Sequence, residues 1–249
     1  MQIIPAPHPL NRRSFLHAAG KFAAAAAVLP ANLLVQKTAG QERHEQSYVV
    51  PTNENLMRQH GILRRVLLMY DEVIRRIDAK QDFPRQTVID SAEIIRKFIE
   101  DYHEKLEEEH IFPLFRKYYR RDDVLRLYAQ KLVDLVDILN EQHTAGRRLT
   151  DRIVSTLQSL NTSDNRQKLA HDLRAFIRMY APHAAREDTV LFPALHVIAT
   201  RQEYEELGEK FDEIEHKTFG GDGFDMYLDY VTAFEKRLGI YDLKQFTPK

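Results

Sequence analysis

Tyr102-His103-Glu104-Lys105-Leu106-Glu107-Glu108-Glu109-His110-Ile111-Phe112-Pro113 and Pro182-His183-Ala184-Ala185-Arg186-Glu187-Asp188-Thr189-Val190-Leu191-Phe192-Pro193 are two copies of one pattern. Each holds a His, a Glu four residues later, and an apolar-Phe-Pro ending at the same offset. Four residues on a helix turn 400°, so each His and its Glu lie one above the other on a single face. Two further histidines, His60 and His143, sit in amphipathic stretches of their own. Along the chain His60, His103, His143 and His183 follow one another at intervals of roughly 40 residues. That interval fits one helix plus one turn, taken four times. The pattern predicts an all-α chain: an antiparallel up-down four-helix bundle at 54–199, with a C-terminal helical extension at 200–249.

Working outward, the helical period begins near Glu54. Leu56, His60, Leu63, Leu67, Ile74 and Ile77 mark one face, with Thr52 or Asn53 as N-cap. Val88, Ile95, Phe98, Ile99, His103 and Leu106 mark a second helix, which Pro113 should kink or end. Arg120-Arg121-Asp122-Asp123 reads as a turn. Leu125 to Ile153 carries the third helix with His143, and Asn161-Thr162-Ser163-Asp164-Asn165 reads as a loop. The fourth helix carries Leu169, Phe176, Tyr180, His183 and Glu187, with Pro182 and Pro193 bending it. Beyond it, 202–217 and 224–238 are helical, and 241–249 reads as a loose end. The stretches 84–119 and 164–199 resemble an internal duplication.

The N-terminus reads differently. Asn11-Arg12-Arg13-Ser14-Phe15-Leu16 precedes an Ala-rich run from Ala18 to Leu29 and then Pro30-Ala31. A twin arginine followed by a weakly apolar stretch resembles a twin-arginine signal peptide, assigned to 1–31, with a polar linker at 32–53. That predicts export to the periplasm or another extracytoplasmic space. The apolar run is too short and weak for a stable membrane span.

Composition excludes several classes. The 249 residues contain no Cys, so disulfides, thiolate catalysis and Fe–S clusters are out. Acidic and basic residues nearly balance, at a net charge of −1, and no basic stripe suggests nucleic acid. Any metal must be held by imidazole and carboxylate. If the bundle points His60, His103, His143 and His183 inward with Glu107 and Glu187, four imidazoles and two carboxylates converge. Such a set suits two cations about 3.5–4 Å apart. Nitrogen and oxygen ligands without sulfur suit iron, manganese or zinc, with iron first. Glu104, beside His103, is an additional candidate ligand, whereas Glu108 and Glu109 read as solvated and His110 as a boundary residue. Tyr102 and Tyr180 read as packing residues within reach of a hydrogen bond to the site. Glu100-x-x-His103 also fits the spacing of ferritin-like sites, but Asn140 and Tyr180 occupy the matching positions ahead of His143 and His183.

His103, Glu107, Phe112-Pro113, His183, Glu187 and Phe192-Pro193, with Glu141-Gln142-His143-Thr144-Ala145-Gly146-Arg147-Arg148, resemble the hemerythrin-like family of HHE cation-binding domains over about 53–200. The resemblance implies a non-haem di-iron centre. His60, His103, His143 and His183 would then be terminal ligands, and Glu107 and Glu187 would bridge the two irons. Family members bind dioxygen, sense oxygen, iron or nitric oxide, or handle peroxide. The implied function is thus a di-iron protein that binds or senses a small ligand. A di-iron oxidase or peroxidase, and iron storage or buffering, are the alternatives. One departure matters. Oxygen-carrying members have a second His four residues after the third-helix His, where this chain has Arg147, and Glu104 is placed to replace that ligand. They also have an Asp five residues after the fourth-helix His, whereas Glu187 comes at four here and Asp188 at five. A carboxylate in place of an imidazole stabilises ferric iron and argues against reversible oxygen carriage.

Overall fold

The computed structural model describes residues 50–119 and 126–248, all within one unit spanning Tyr48–Lys249. The stretch expected to be a signal peptide, most of the expected linker and the expected Arg120–Asp123 turn lie outside the described residues. The described chain is all-helical. Six helices follow in order: α1 (Thr52–Asp78), α2 (85–119), α3 (Arg126–Gln158), α4 (163–198), α5 (Arg201–Phe219) and α6 (Gly223–Leu238). Helices α1 to α4 form a closed ring of neighbours, with α1 on α2, α2 on α3, α3 on α4 and α4 back on α1. Helix α6 packs on α1 and α2, and α5 packs on α1 and α6. No helix among the described residues is long and apolar enough to cross a membrane.

The apolar stripes read from the sequence face the centre of this ring. Leu56, Val66, Phe98, Val136, Phe176 and Phe192 are all fully buried. At about 1.5–3 kcal/mol per fully buried large apolar side chain, this core supplies ample driving force for a chain of this size. Several local readings need correction. Helix α1 begins at Thr52 itself, after Pro51, and neither Thr52 nor Asn53 caps it. Their side chains instead tie α1 to later helices. Thr52 donates to the Tyr204 carbonyl at 3.2 Å, and Asn53 donates to the Phe192 carbonyl at 2.6 Å. The loop expected over Asn161–Asn165 is shorter: Thr162 caps α4 by accepting the Asn165 N–H at 3.2 Å, and the helix starts at Ser163. The Gln202–Lys217 stretch extends to Arg201–Phe219 behind a Thr200/Glu203 capping box. It stops at Gly220, whose φ of 74° a β-carbon would disfavour.

The prolines do not break their helices. Pro113 and Pro193 have no N–H to give the carbonyl four residues back, and their rings crowd it. The chain answers by widening the preceding turn. Residues Glu107–Ile111 and Glu187–Leu191 are π-helical, and the N–H groups of Phe112 and Phe192 reach five residues back to Glu107 and Glu187. Both helices then run on, α2 to Tyr119 and α4 to Ile198. A further π segment covers Ile95–His103. Pro182 sits inside an unbroken α-helical stretch, Ser163–Arg186. The two widened turns therefore open at the two glutamates of the repeated pattern, a placement common at functional sites.

Candidate metal centre

The ring of helices brings His60, His103, His143, His183, Glu107 and Glu187 into one cluster. Each is at most 4% exposed. Ligand atoms of His60, His103 and Glu107 lie within 4.8 Å of one another, as do those of His143, His183 and Glu187. The two carboxylates span the two groups. Glu107 faces His103 Nε2 at 3.6 Å and His143 Nε2 at 3.5 Å with its two oxygens. Glu187 Oε2 lies 3.3 Å from His60 Nε2 and 3.1 Å from His183 Nε2.

All four imidazoles turn Nε2 inward because Nδ1 is held from behind. His60 Nδ1 meets Asp188 at 2.7 Å, His103 Nδ1 meets Gln59 Oε1 at 2.7 Å, His143 Nδ1 meets Glu108 at 3.1 Å, and His183 Nδ1 meets Gln142 Oε1 at 2.9 Å. Each partner offers an acceptor oxygen, so each Nδ1–H donates, and in the neutral ring Nε2 is the nitrogen whose lone pair faces the centre. The buttresses run round the ring, from α1 to α2, α2 to α3, α3 to α4 and α4 to α1. Phe112 stacks on His143 and Phe192 on His60, both at 5.5 Å between ring centroids. The recurrent Phe-Pro ending thus places a flat apolar wall on an imidazole of another helix.

The structure carries the duplication further than its sequence outline. Gln59-His60 matches Gln142-His143, Glu107-Glu108 matches Glu187-Asp188, and Arg64 on Asp188 matches Arg147 on Glu108. Sequence reading set Glu108 aside as solvated. Its carboxylate is 15% exposed and holds both His143 and Arg147, which correct that reading. A signal for these residues was present: Gln precedes a histidine, and an acid follows the core glutamate, in both halves. His110 lies at the boundary, its ring 6.0 Å from Phe211. Tyr102 is buried against Phe98 and Phe219.

Glu104 stands apart. One oxygen accepts the Tyr180 hydroxyl at 2.7 Å, and the other pairs with Arg147 at 2.8 Å. With Glu108 and His143 it forms a third cluster of possible ligand atoms, but the Arg147 guanidinium already supplies positive charge there, 2.7 Å from Glu108. Tyr180 reaches Glu104 because residue 146 has no side chain: a β-carbon on Gly146 would lie 2.0 Å from the Tyr180 oxygen. Gly146→Ala is expected to cost about 1–3 kcal/mol of stability through overpacking. A drop in the urea midpoint would show it, and an unchanged midpoint would mean that Tyr180 can shift freely.

The electrostatics of the metal-free cluster are unbalanced. Burial, then the charges of Glu187 and Glu104, pushes Glu107 well above the usual carboxylate range. Burial opposes ionisation of Glu187 too, but His183 and His60 outweigh it and hold that carboxyl well below its usual range. Burial, then the neighbouring imidazole of His60, drives His103 well below the ordinary histidine value. Glu108 is held at about 2, against burial, by His143, Lys105 and Arg147. Both oxygens of Glu107 and of Glu187, and Nε2 of His143, lack a hydrogen-bond partner despite full burial. His60 and His103 point their Nε2 atoms at each other across 3.0 Å. Unpartnered buried carboxylates are costly unless cations lie among them. The residues fit that need, since imidazole and carboxylate ligands are in place and the imidazoles are already oriented from behind.

Fold and site together define an all-helical protein with a buried His/Glu cluster able to hold metal cations. Comparison with known proteins agrees. The family described as hemerythrin HHE cation binding domain matches residues 134–239, which include His143, His183 and Glu187. His60, His103, Glu104 and Glu107 lie ahead of the matched span, in the half that the duplication relates to it. Uncharacterized proteins of Mycobacterium bovis and of two strains of Mycobacterium tuberculosis are each 45% identical over 206 residues, covering 82% of this chain and 76% of theirs. No solved structure matches. The chain belongs to one family with these mycobacterial proteins, and its residues 134–239 match the hemerythrin HHE cation binding domain.

Proposed function

We propose that the α1–α4 ring is an antiparallel four-helix bundle built to hold two iron ions and to present them to a small ligand. The observation that carries this reading is the inward set of four Nε2 atoms around two spanning, unpartnered carboxylates. His60 and His103 would hold one ion and His143 and His183 the other, with Glu107 and Glu187 bridging. Iron bound there would supply redox chemistry and a coordination position for dioxygen, nitric oxide or peroxide. The chain's own contribution is orientation and exclusion of water. Gln59, Glu108, Gln142 and Asp188 fix the four imidazoles, while Phe112 and Phe192 wall the cluster. Losing such partners typically weakens a metal site about 10- to 100-fold. The Arg12-Arg13 segment supports export of this protein by the twin-arginine route.

Metal content tests the reading. The protein purified without added metal is expected to carry two irons per chain, and a His103→Ala, His183→Ala double variant to carry none. Zinc in place of iron, or equal metal in both proteins, would remove it.

A further inference from the structure

The two halves of the cluster match at nearly every position, and the place where they part is informative. Glu104 has Ala184 as its counterpart, and Tyr180 has Glu100. The mismatch falls on one pair of residues that touch. Glu104 and Tyr180 are each 1% exposed and joined by a 2.7 Å hydrogen bond, with Arg147 on the second Glu104 oxygen. Gly146 provides the space that the contact needs.

We propose that Tyr180 and Arg147 latch Glu104 clear of the metal beside His143, and that this latch keeps a coordination position there open to a small anionic ligand. The proposal rests on the di-metal reading and deepens it. Glu104 lies close enough to matter, since its ligand atom falls within 4.8 Å of those of His143 and Glu108. What keeps it off is that one oxygen accepts the Tyr180 hydroxyl and the other is ion-paired with Arg147, although that second oxygen accepts no hydrogen bond. A buried carboxylate oxygen deprived of its donor must find another donor or a cation. Arg147 is one cation in reach and the metal would be the other, so loss of the hydroxyl frees an oxygen of Glu104 to turn from a latched neighbour into a ligand that fills the open position. The other half, with Ala184 in the matching place, has no such carboxylate. The two metal positions therefore differ, and the latch acts on the His143 side.

Azide is the probe, titrated by absorption into the iron-loaded protein, with iron per chain measured in every sample. Tyr180→Phe is expected to keep its iron and to bind azide about tenfold or more weakly. Arg147→Gln, which frees the other oxygen, should act in the same direction. Adding Glu104→Gln to Tyr180→Phe should restore azide binding, because an amide is a poor ligand; a purely structural role for the hydroxyl would not be rescued. Crystals of Tyr180→Phe should show Glu104 turned toward the metals. Azide binding equal to wild type in both single variants, no rescue in the double variant, or no azide binding by the iron-loaded wild type overturns the latch while leaving the di-metal reading standing. A wild-type chain without metal overturns both.

Discussion

Protein stripped by a chelator is expected to melt about 15 °C or more below the iron-loaded protein, since each site held at a thousandfold its dissociation constant adds about 4 kcal/mol and a chain of this size shifts about 2–4 °C per kcal/mol. The reason lies in what the stripped core must tolerate. Glu107 and Glu187 are both fully buried, one between His103 and His143 and the other between His60 and His183, yet none of their oxygens has a hydrogen-bond donor. Cations answer both the charge and the missing partners. Glu107→Gln separates this account from a general effect of ligand binding. It resembles the protonated carboxyl that the stripped core favours, because burial and Glu187 push the Glu107 carboxyl up. Stripped Glu107→Gln should therefore melt at or above stripped wild type, whereas in the presence of iron it should melt below loaded wild type. The two orders cross. Parallel shifts in both states, or a wild type indifferent to the chelator, would show that the cluster does not hold the metal.

Replacing Glu100 by Gln is expected to stabilise the stripped protein at neutral pH and not at acid pH. Glu100 is fully buried. Thr150 donates to one oxygen, and Arg96 lies 3.1 Å from the other. Burial nevertheless raises its carboxyl from 4.5 to about 7; the Thr150 bond opposes this, Glu104 adds to it, and Arg96 and Arg147 oppose it. The sign follows from proton uptake: between these two values the folded chain binds more protons than the unfolded one, so stability falls as pH rises. The contribution is fully present below pH 4.5 and lost as pH rises through about 7. At 1.36 kcal/mol for each tenfold change, the loss reaches about 3 kcal/mol. Glu100→Gln has no such loss and should gain that amount over wild type between pH 4.5 and 7.5. Urea unfolding of both proteins at several pH values reads the difference directly, and the shared titrations of the cluster cancel in it. Curves that stay parallel from pH 4.5 to 7.5 would contradict the raised carboxyl.

Much of this molecule is written in short-range spacing. His103 with Glu107 and His183 with Glu187 are adjacent on a helix whatever the helix packs against, so four residues of the cluster were legible as two pairs. The alternation of apolar faces gave the helices and their order, and the absence of Cys left imidazole and carboxylate as the only ligand types. His60 and His143 were legible only through their interval from the paired copies. The widened turns at the two Phe-Pro endings were not legible, because proline's cost can be relieved by a π-helical turn as well as by a kink or an end. Which relief is taken depends on the neighbours that hold the helix in place.

What only the tertiary structure decided is the second layer. Gln59 serves His103, Glu108 serves His143, Gln142 serves His183 and Asp188 serves His60, each on a different helix from the ring it holds. Glu104 meets Tyr180 across 76 residues, in a gap that exists because residue 146 is glycine. No spacing rule reaches such pairs. A helix fixes which of its own residues share a face, but the depth and rotation at which two helices meet are set by the whole packed interior. The sequence by itself therefore determined the helices, the ligand types and the paired His and Glu. The packing of those helices decided which side chain stands behind each imidazole and which residues Glu104 meets.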